Sequence, residues 1–138
     1  MLLRSLRFLI FGTLPFAALA HAQSCPPAHA DISALRSLKV SQWKLEDTAE
    51  RETLALGLVP CLANPNPELR DGIAFEALSA WLRSKQLSLA TQQALCQHLM
   101  TQLSAADDGA GFAKPFAALA LSEVARADRV DPFLTPQE

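Results

Sequence analysis

Leu62-Ala63-Asn64-Pro65-Asn66-Pro67-Glu68-Leu69-Arg70-Asp71 carries the strongest local signal in the chain. Pro65 fixes φ and lacks a backbone donor, so it punctuates a turn. Asn66 suits an N-cap, because its side-chain oxygen can accept from the first orphan N–H groups. Pro67 suits the first helical position, and Glu68 faces the positive end of the helix dipole. A helix therefore starts at Pro67. Downstream, Leu69, Ile73, Ala77 and Trp81 recur every fourth residue, and Ala74, Leu78 and Leu82 form the adjacent row. That stripe predicts a helix running to about Ser84.

The same reading extends both ways. Upstream, Asp31 caps a short helix whose stripe is Ile32, Leu35 and Leu38. Asp47-Thr48-Ala49-Glu50 resembles a capping box and opens a second helix. Its broad apolar face holds Ala49, Leu54, Leu56, Leu58, Val59 and Leu62, and Pro60 ends it. Downstream, Ser88 caps a helix with the stripe Leu95, Cys96, Leu99, Met100 and Leu103. Asp107-Asp108-Gly109-Ala110-Gly111 reads as a flexible loop. A further helix covers about Lys114 to Ala127 and is apolar on every side over 115–121. Asp131-Pro132 reads as the start of another element. No strand pattern of useful length occurs.

Helices joined by tight turns predict an all-α fold of antiparallel hairpins, with the second and third helices paired and the fourth and fifth paired. The capped starts at Asp47 and Ser88 stand 41 residues apart. That period suits HEAT and armadillo repeats, so the expected architecture is a short α-solenoid over 31–138. Residues 23–30 are expected to be a flexible lead-in.

Composition excludes several classes. Half of the 138 residues are hydrophobic and 19% are charged, too apolar for a disordered chain. The net charge of −2 gives no electrostatic reason to bind nucleic acid. Residues 1–22 read as a signal peptide: Arg4 and Arg7 precede the apolar run Phe8 to Ala20, and Ala20-His21-Ala22 supplies small residues for cleavage. Cleavage after Ala22 is expected, with Ala20 the alternative. The apolar run is short of the about 20 residues a membrane span needs. Removing Arg4 and Arg7 takes the net charge to −4, which gives no electrostatic reason to sit on nucleic acid or anionic lipid, and no stable membrane insertion is expected after cleavage. The expected location is periplasmic or secreted.

Leu62 to Arg70 resembles the HEAT signature L-x-D-P-x-P-x-V-R, with Asn64 in place of Asp and Leu69 in place of Val. In that signature Pro65 and Pro67 would shape the turn, Leu69 would enter the core, and Arg70 would reach a neighbouring repeat. A wider frame joins Pro67-Glu68-Leu69-Arg70-Asp71 to Ala77-Leu-Ser-Ala-Trp-Leu82, Leu87-Ser88 and Phe116-Ala-Ala-Leu-Ala-Leu121. It resembles a bacterial family catalogued as domain of unknown function 2785. The resemblance covers about Leu35 onward. It implies an armadillo-like protein continuing for about as long again, with a Gly-Trp-x-His-x-x-x-His stretch. No residue here matches that stretch, so no chemical site carries over, and the chain is expected to be incomplete at its C-terminal end.

Candidate chemistry is sparse. His29 and His98 lie in no H-E-x-x-H or C-x-x-C pattern, and zinc needs three or four convergent ligands. No metal or cofactor is expected. An exported chain can meet an oxidising compartment. Cys25 precedes the first helix and Cys61 ends the second, so a hairpin would place both at one end. A Cys25–Cys61 bridge would add about 4 kcal/mol on chain-entropy grounds. Cys96 falls on an apolar stripe and reads as a buried thiol. Arg70 and Asp71 could hold an anion, but their motif position favours packing between helices. No serine sits in G-x-S-x-G. With no catalytic cluster, the expected function is binding of an unidentified protein or peptide; the alternative is a fragment of a longer enzyme or protein whose functional half is missing here. Phe116, Leu119 and Leu121 cannot all be covered by so few helices, so residues 112–127 are expected to pair with a second copy or a further repeat. Export can be checked by intact mass: protein recovered from the periplasm of an expression host should begin at Gln23, and a species still beginning at Met1 would refute the signal.

Overall fold

The computed structural model describes residues 24–135. The signal and its cleavage positions Ala20 and Ala22 lie outside the described residues. Within these bounds the chain is all-α, and no strand occurs among the described residues. Five helices follow in order: α1 (Ile32–Val40), α2 (Thr48–Gly57), α3 (67–83), α4 (Leu89–Ser104) and α5 (Ala113–Val130). A 3-10 turn, Val59–Ala63, follows α2.

The starts follow side-chain chemistry. Asp31 Oδ1 accepts from Ala34 N at 2.8 Å, and Asp47 Oδ1 accepts from Glu50 N at 2.8 Å. Asn66 Oδ1 accepts from Glu68 N at 2.9 Å, and Ser88 Oγ from Thr91 N at 3.3 Å. Asp108 accepts from Ala113 N at 2.9 Å, so the loop expected to be flexible is fastened to the start of α5.

Two helix ends use a device with no glycine. Trp43 N donates to Leu38 O and Gln42 N to Lys39 O, each at 2.9 Å. Gln86 N donates to Trp81 O at 2.9 Å and Lys85 N to Leu82 O at 3.3 Å. These are Schellman closures. They place Gln42 (φ 57°) and Lys85 (φ 56°) in the left-handed region, and Trp43 (φ 63°) follows. Left-handed backbone costs about 1–2 kcal/mol per side-chain-bearing residue. At Trp43 the burial of an indole, about 4–6 kcal/mol, offsets it.

Helix α3 is one helix in three parts: Pro67–Leu69, a wide π-type stretch Arg70–Phe75, and Glu76–Arg83. The predicted stripe is buried throughout: Leu69, Ile73, Ala74, Ala77, Leu78, Trp81 and Leu82. Lys39 Nζ donates to Gly72 O at 2.8 Å and to Glu76 Oε2 at 2.6 Å, which ties α1 to this stretch. Glu76 Oε1 also accepts from Trp43 Nε1 at 3.1 Å, and Trp81 Nε1 donates to Trp43 O at 2.9 Å. The two indoles meet edge to face, 6.2 Å apart.

Helices α4 and α5 form an antiparallel hairpin, and α5 also packs on α3 and on the 3-10 turn. Helix α2 packs against α4. Met100 departs from the predicted stripe: it is 44% exposed. Among the described residues, the segment after α5 (131–135) forms no helix or strand. Asp128 Oδ1 accepts from Phe133 N at 2.7 Å and Leu134 N at 2.8 Å, and Gln93 Nε2 donates to Phe133 O at 3.0 Å. Phe133 and Leu134 thereby pack on the core.

The lead-in is also held. Cys25 is bonded to Cys61, Pro27 is buried, and Ala30 N donates to Pro27 O at 2.9 Å. Gly57 lets this segment approach, since a Cβ there would lie 3.1 Å from Pro27 Cγ. Cys96 is buried in α4. The expectation of flexibility over 23–30 gives way, for residues 24–30, to a segment anchored by a covalent bond and by contact with α2.

Arg70 links three segments. Its Nη2 meets Asp71 Oδ2 at 2.7 Å, and its Nη1 donates to Asn64 O and Pro65 O, each at 3.3 Å. Its guanidinium lies 3.9 Å from the centre of the Phe112 ring and 4.8 Å from that of Phe116. Lysine has one charged point and no planar fork. Arg70→Lys should therefore lower stability by about 1–3 kcal/mol in urea unfolding, and an unchanged midpoint would contradict this role.

Candidate functional site

The residues singled out by sequence do not converge on one site. Cys25 and Cys61 form the bridge described above. Pro65 and Pro67 are exposed in the turn, Leu69 and Arg70 are buried, and Asp71 is half-buried beside Arg70. The Arg70 guanidinium is covered by Phe112 and Phe116, so it faces neighbouring helices and not an open cavity. His29 is exposed and His98 half-buried. Among the described residues, no three His, Cys, Asp or Glu side chains form a group able to hold a metal ion.

As expected, Phe116, Leu119 and Leu121 are not all covered. Ala113, Ala117, Ala120 and Val124 are buried. Phe116 and Leu121 are partly buried against the core, and the Phe116 ring meets Phe75 edge to face at 6.2 Å. Leu119 remains 46% exposed.

A different site stands out. The end of α3, the start of α4 and the end of α5 enclose a cleft of about 250 Å³. Its apolar wall is Leu82, Leu87, Leu89, Ala127 and Val130. Leu89 and Val130 are 52% and 63% exposed, two of the five large apolar side chains left open to water among the described residues. Its charged groups are Arg83, Lys85, Arg126 and Asp131.

Glu123 positions two of these cations. Only 5% exposed, it accepts from Arg83 Nε at 2.9 Å and Arg83 Nη2 at 2.5 Å, and forms an ion pair with Arg126 Nε at 3.2 Å. The bidentate Arg83 hydrogen bonds hold the Glu123 carboxyl below its ordinary pKa, against the opposing effect of burial. Burial alone would push the carboxyl up. One buried carboxylate thus braces two arginines at the cleft. Lys85 makes no ion pair among the described residues. Its left-handed backbone places it at the closure of α3.

The start of α4 is fixed from behind. Glu52 Oε1 accepts from Ser88 N at 2.9 Å, and Gln92 Nε2 donates to Leu87 O at 2.9 Å. Buried Arg51 donates to Gln86 O at 2.8 Å and also to Leu45 O. The loop carrying Lys85 to Ser88 is therefore clamped from α2. Sequence reading missed this site because its walls come from three helix ends distant in the chain. A Lys in place of glycine at the α3 closure also hid the left-handed geometry of that turn.

Comparison with known proteins finds no match: no family model, no curated protein and no solved structure resembles the chain. No helix among the described residues is long and apolar enough to cross a membrane.

The depressed Glu123 pKa has a defined sign. The unfolded chain takes up the proton first, so the ion pairing stabilises the fold above the ordinary carboxylate range and is lost as pH falls through the lowered value. Glu123→Gln should show a smaller loss of stability between pH 5 and pH 2 than the parent protein, by thermal melts across that range. An equal acid loss in both would exclude Glu123 as a contributor.

Proposed function

We propose that this is an exported helical-hairpin protein that binds a protein or peptide, without catalysis of its own. The observation that carries the reading is the cleft at the joined ends of α3, α4 and α5, with an apolar wall and a cationic rim. Anchoring sites for peptides share this form: a small apolar recess excludes water, and a few placed charges fix orientation. Leu89 and Val130 leave apolar surface exposed at the cleft, where a partner could cover it. The rim is electropositive on a chain of net charge −2, so the partner carries negative charge.

Export rests on the leader pattern and on the disulfide between Cys25 and Cys61, a linkage suited to oxidising compartments. The periplasm or the exterior is the proposed location. The HEAT/armadillo-like reading rests on the Asn64 to Arg70 motif and the 41-residue spacing of capped starts. Contact with a second copy through 112–127 would depend mainly on Leu119 among large apolar side chains, so the partner surface is placed at the cleft instead.

A library of random peptides presented with free C-termini and selected on the purified protein tests the reading. Enriched peptides should bind the parent and lose binding to Leu89→Glu and Val130→Glu. Both positions are solvent-exposed, so the variants should keep the parent melting temperature. Absence of enrichment, or binding indifferent to both substitutions, would refute it.

A further inference from the structure

The cleft's dimensions and charge narrow the ligand class, on the basis of the peptide-binding reading above. We propose that it captures the free carboxyl terminus of a polypeptide whose last residue is aliphatic.

Size comes first. Sites for drug-sized ligands run from about 300 to 1,000 Å³. A cleft of about 250 Å³ lies below that range and suits one or two side chains. The anchor is therefore a short piece of something larger.

Charge comes next. Arg83, Lys85 and Arg126 stand against Glu123 and Asp131, three cations to two carboxylates. Glu123 is shared by two arginines, and Lys85 is in no ion pair among the described residues. Glu52 at Ser88 N brings the carboxylates to three, so the charge open to a ligand is the Lys85 ammonium, which matches one carboxylate. Asp131 disfavours a second negative group on the ligand.

Geometry joins the two requirements. The apolar wall and the cationic rim belong to one small cleft, so the ligand must present an apolar side chain and a carboxylate close together. A C-terminal aliphatic residue carries both on one α-carbon. An internal Asp or Glu spends its side chain on the carboxylate and leaves the apolar wall to a neighbouring residue. Capture of a terminal carboxylate is an established mode of peptide recognition.

Titration of the 15N-labelled protein with N-acetyl-Val-Leu, followed by amide chemical shifts, tests the proposal. The free acid should move the resonances of Lys85, Ser88, Leu89 and Val130 saturably. The Lys85→Gln/Arg126→Gln double variant should bind about tenfold more weakly or worse, with the rest of its spectrum unchanged. The C-terminal amide of the same dipeptide should leave these resonances in place. If the amide binds as well as the acid, terminal-carboxylate capture is overturned while peptide binding stands. If N-acetyl-Glu-Leu-amide binds better than the free acid, an internal acidic residue is the ligand and the proposal is overturned. If no dipeptide binds but library-selected peptides do, the terminus claim alone falls. If neither binds, both readings fall.

Discussion

A buried guanidinium sets the constraints on this fold. Arg70 is 8% exposed, and a charge removed from water must find partners or unfold its surroundings. It finds them in Asp71, in the carbonyls of Asn64 and Pro65, and in the faces of Phe112 and Phe116. Each partner belongs to a different part of the architecture. The carbonyls belong to the proline turn, Asp71 to the wide stretch of α3, and the rings to the start of α5. Satisfying one charge therefore fixes the turn and the docking of α5 on α3 together. The wide stretch of α3 begins at this residue and brings Leu69, Arg70, Ile73 and Ala74 all under cover.

Around that centre, polar clasps hold helix ends that a small apolar core would leave loose. Lys39 and Glu76 bind α1 to α3, Arg51 binds α2 to the α3–α4 loop, and Asp128 binds the chain after α5. Most such contacts use charge-assisted hydrogen bonds to backbone groups, which satisfy orphan donors and acceptors while crossing between elements. The Cys25–Cys61 bond extends the same pattern to the segment before α1.

The cleft is a consequence of how helices terminate. Where α3 stops, the chain turns through left-handed Lys85 and enters α4 at Ser88, while α5 ends alongside. Three helix ends cannot close on one another as helix faces do, so a recess remains. Glu123 prevents its cations from dispersing by holding Arg83 and Arg126 from below. A buried carboxylate that serves two arginines is a structural feature with a binding-site consequence.

Local chemistry was legible without coordinates. Asp31, Asp47, Asn66 and Ser88 cap the helices because their side chains reach only nearby N–H groups. The stripe from Leu69 to Leu82 was legible from the apolar recurrence along the helix, and it is buried, with the wide stretch Arg70–Phe75 helping to bring Leu69 to Ala74 under cover. The Schellman closures at Gln42 and Lys85 were hidden, since their signal is usually glycine and here the tertiary contacts of Trp43 and the α3–α4 loop offset the strain. The cleft was hidden for a related reason: Arg83, Leu89 and Arg126 share no spacing and meet only through packing. Sequence by itself determined the helices and their turns, which depend on interactions within a few residues. Only tertiary structure decided that Arg70 faces aromatic rings, that residues 24–30 and 133–134 cover the core, and which charges surround the cleft. Those outcomes depend on contacts between residues far apart in the chain.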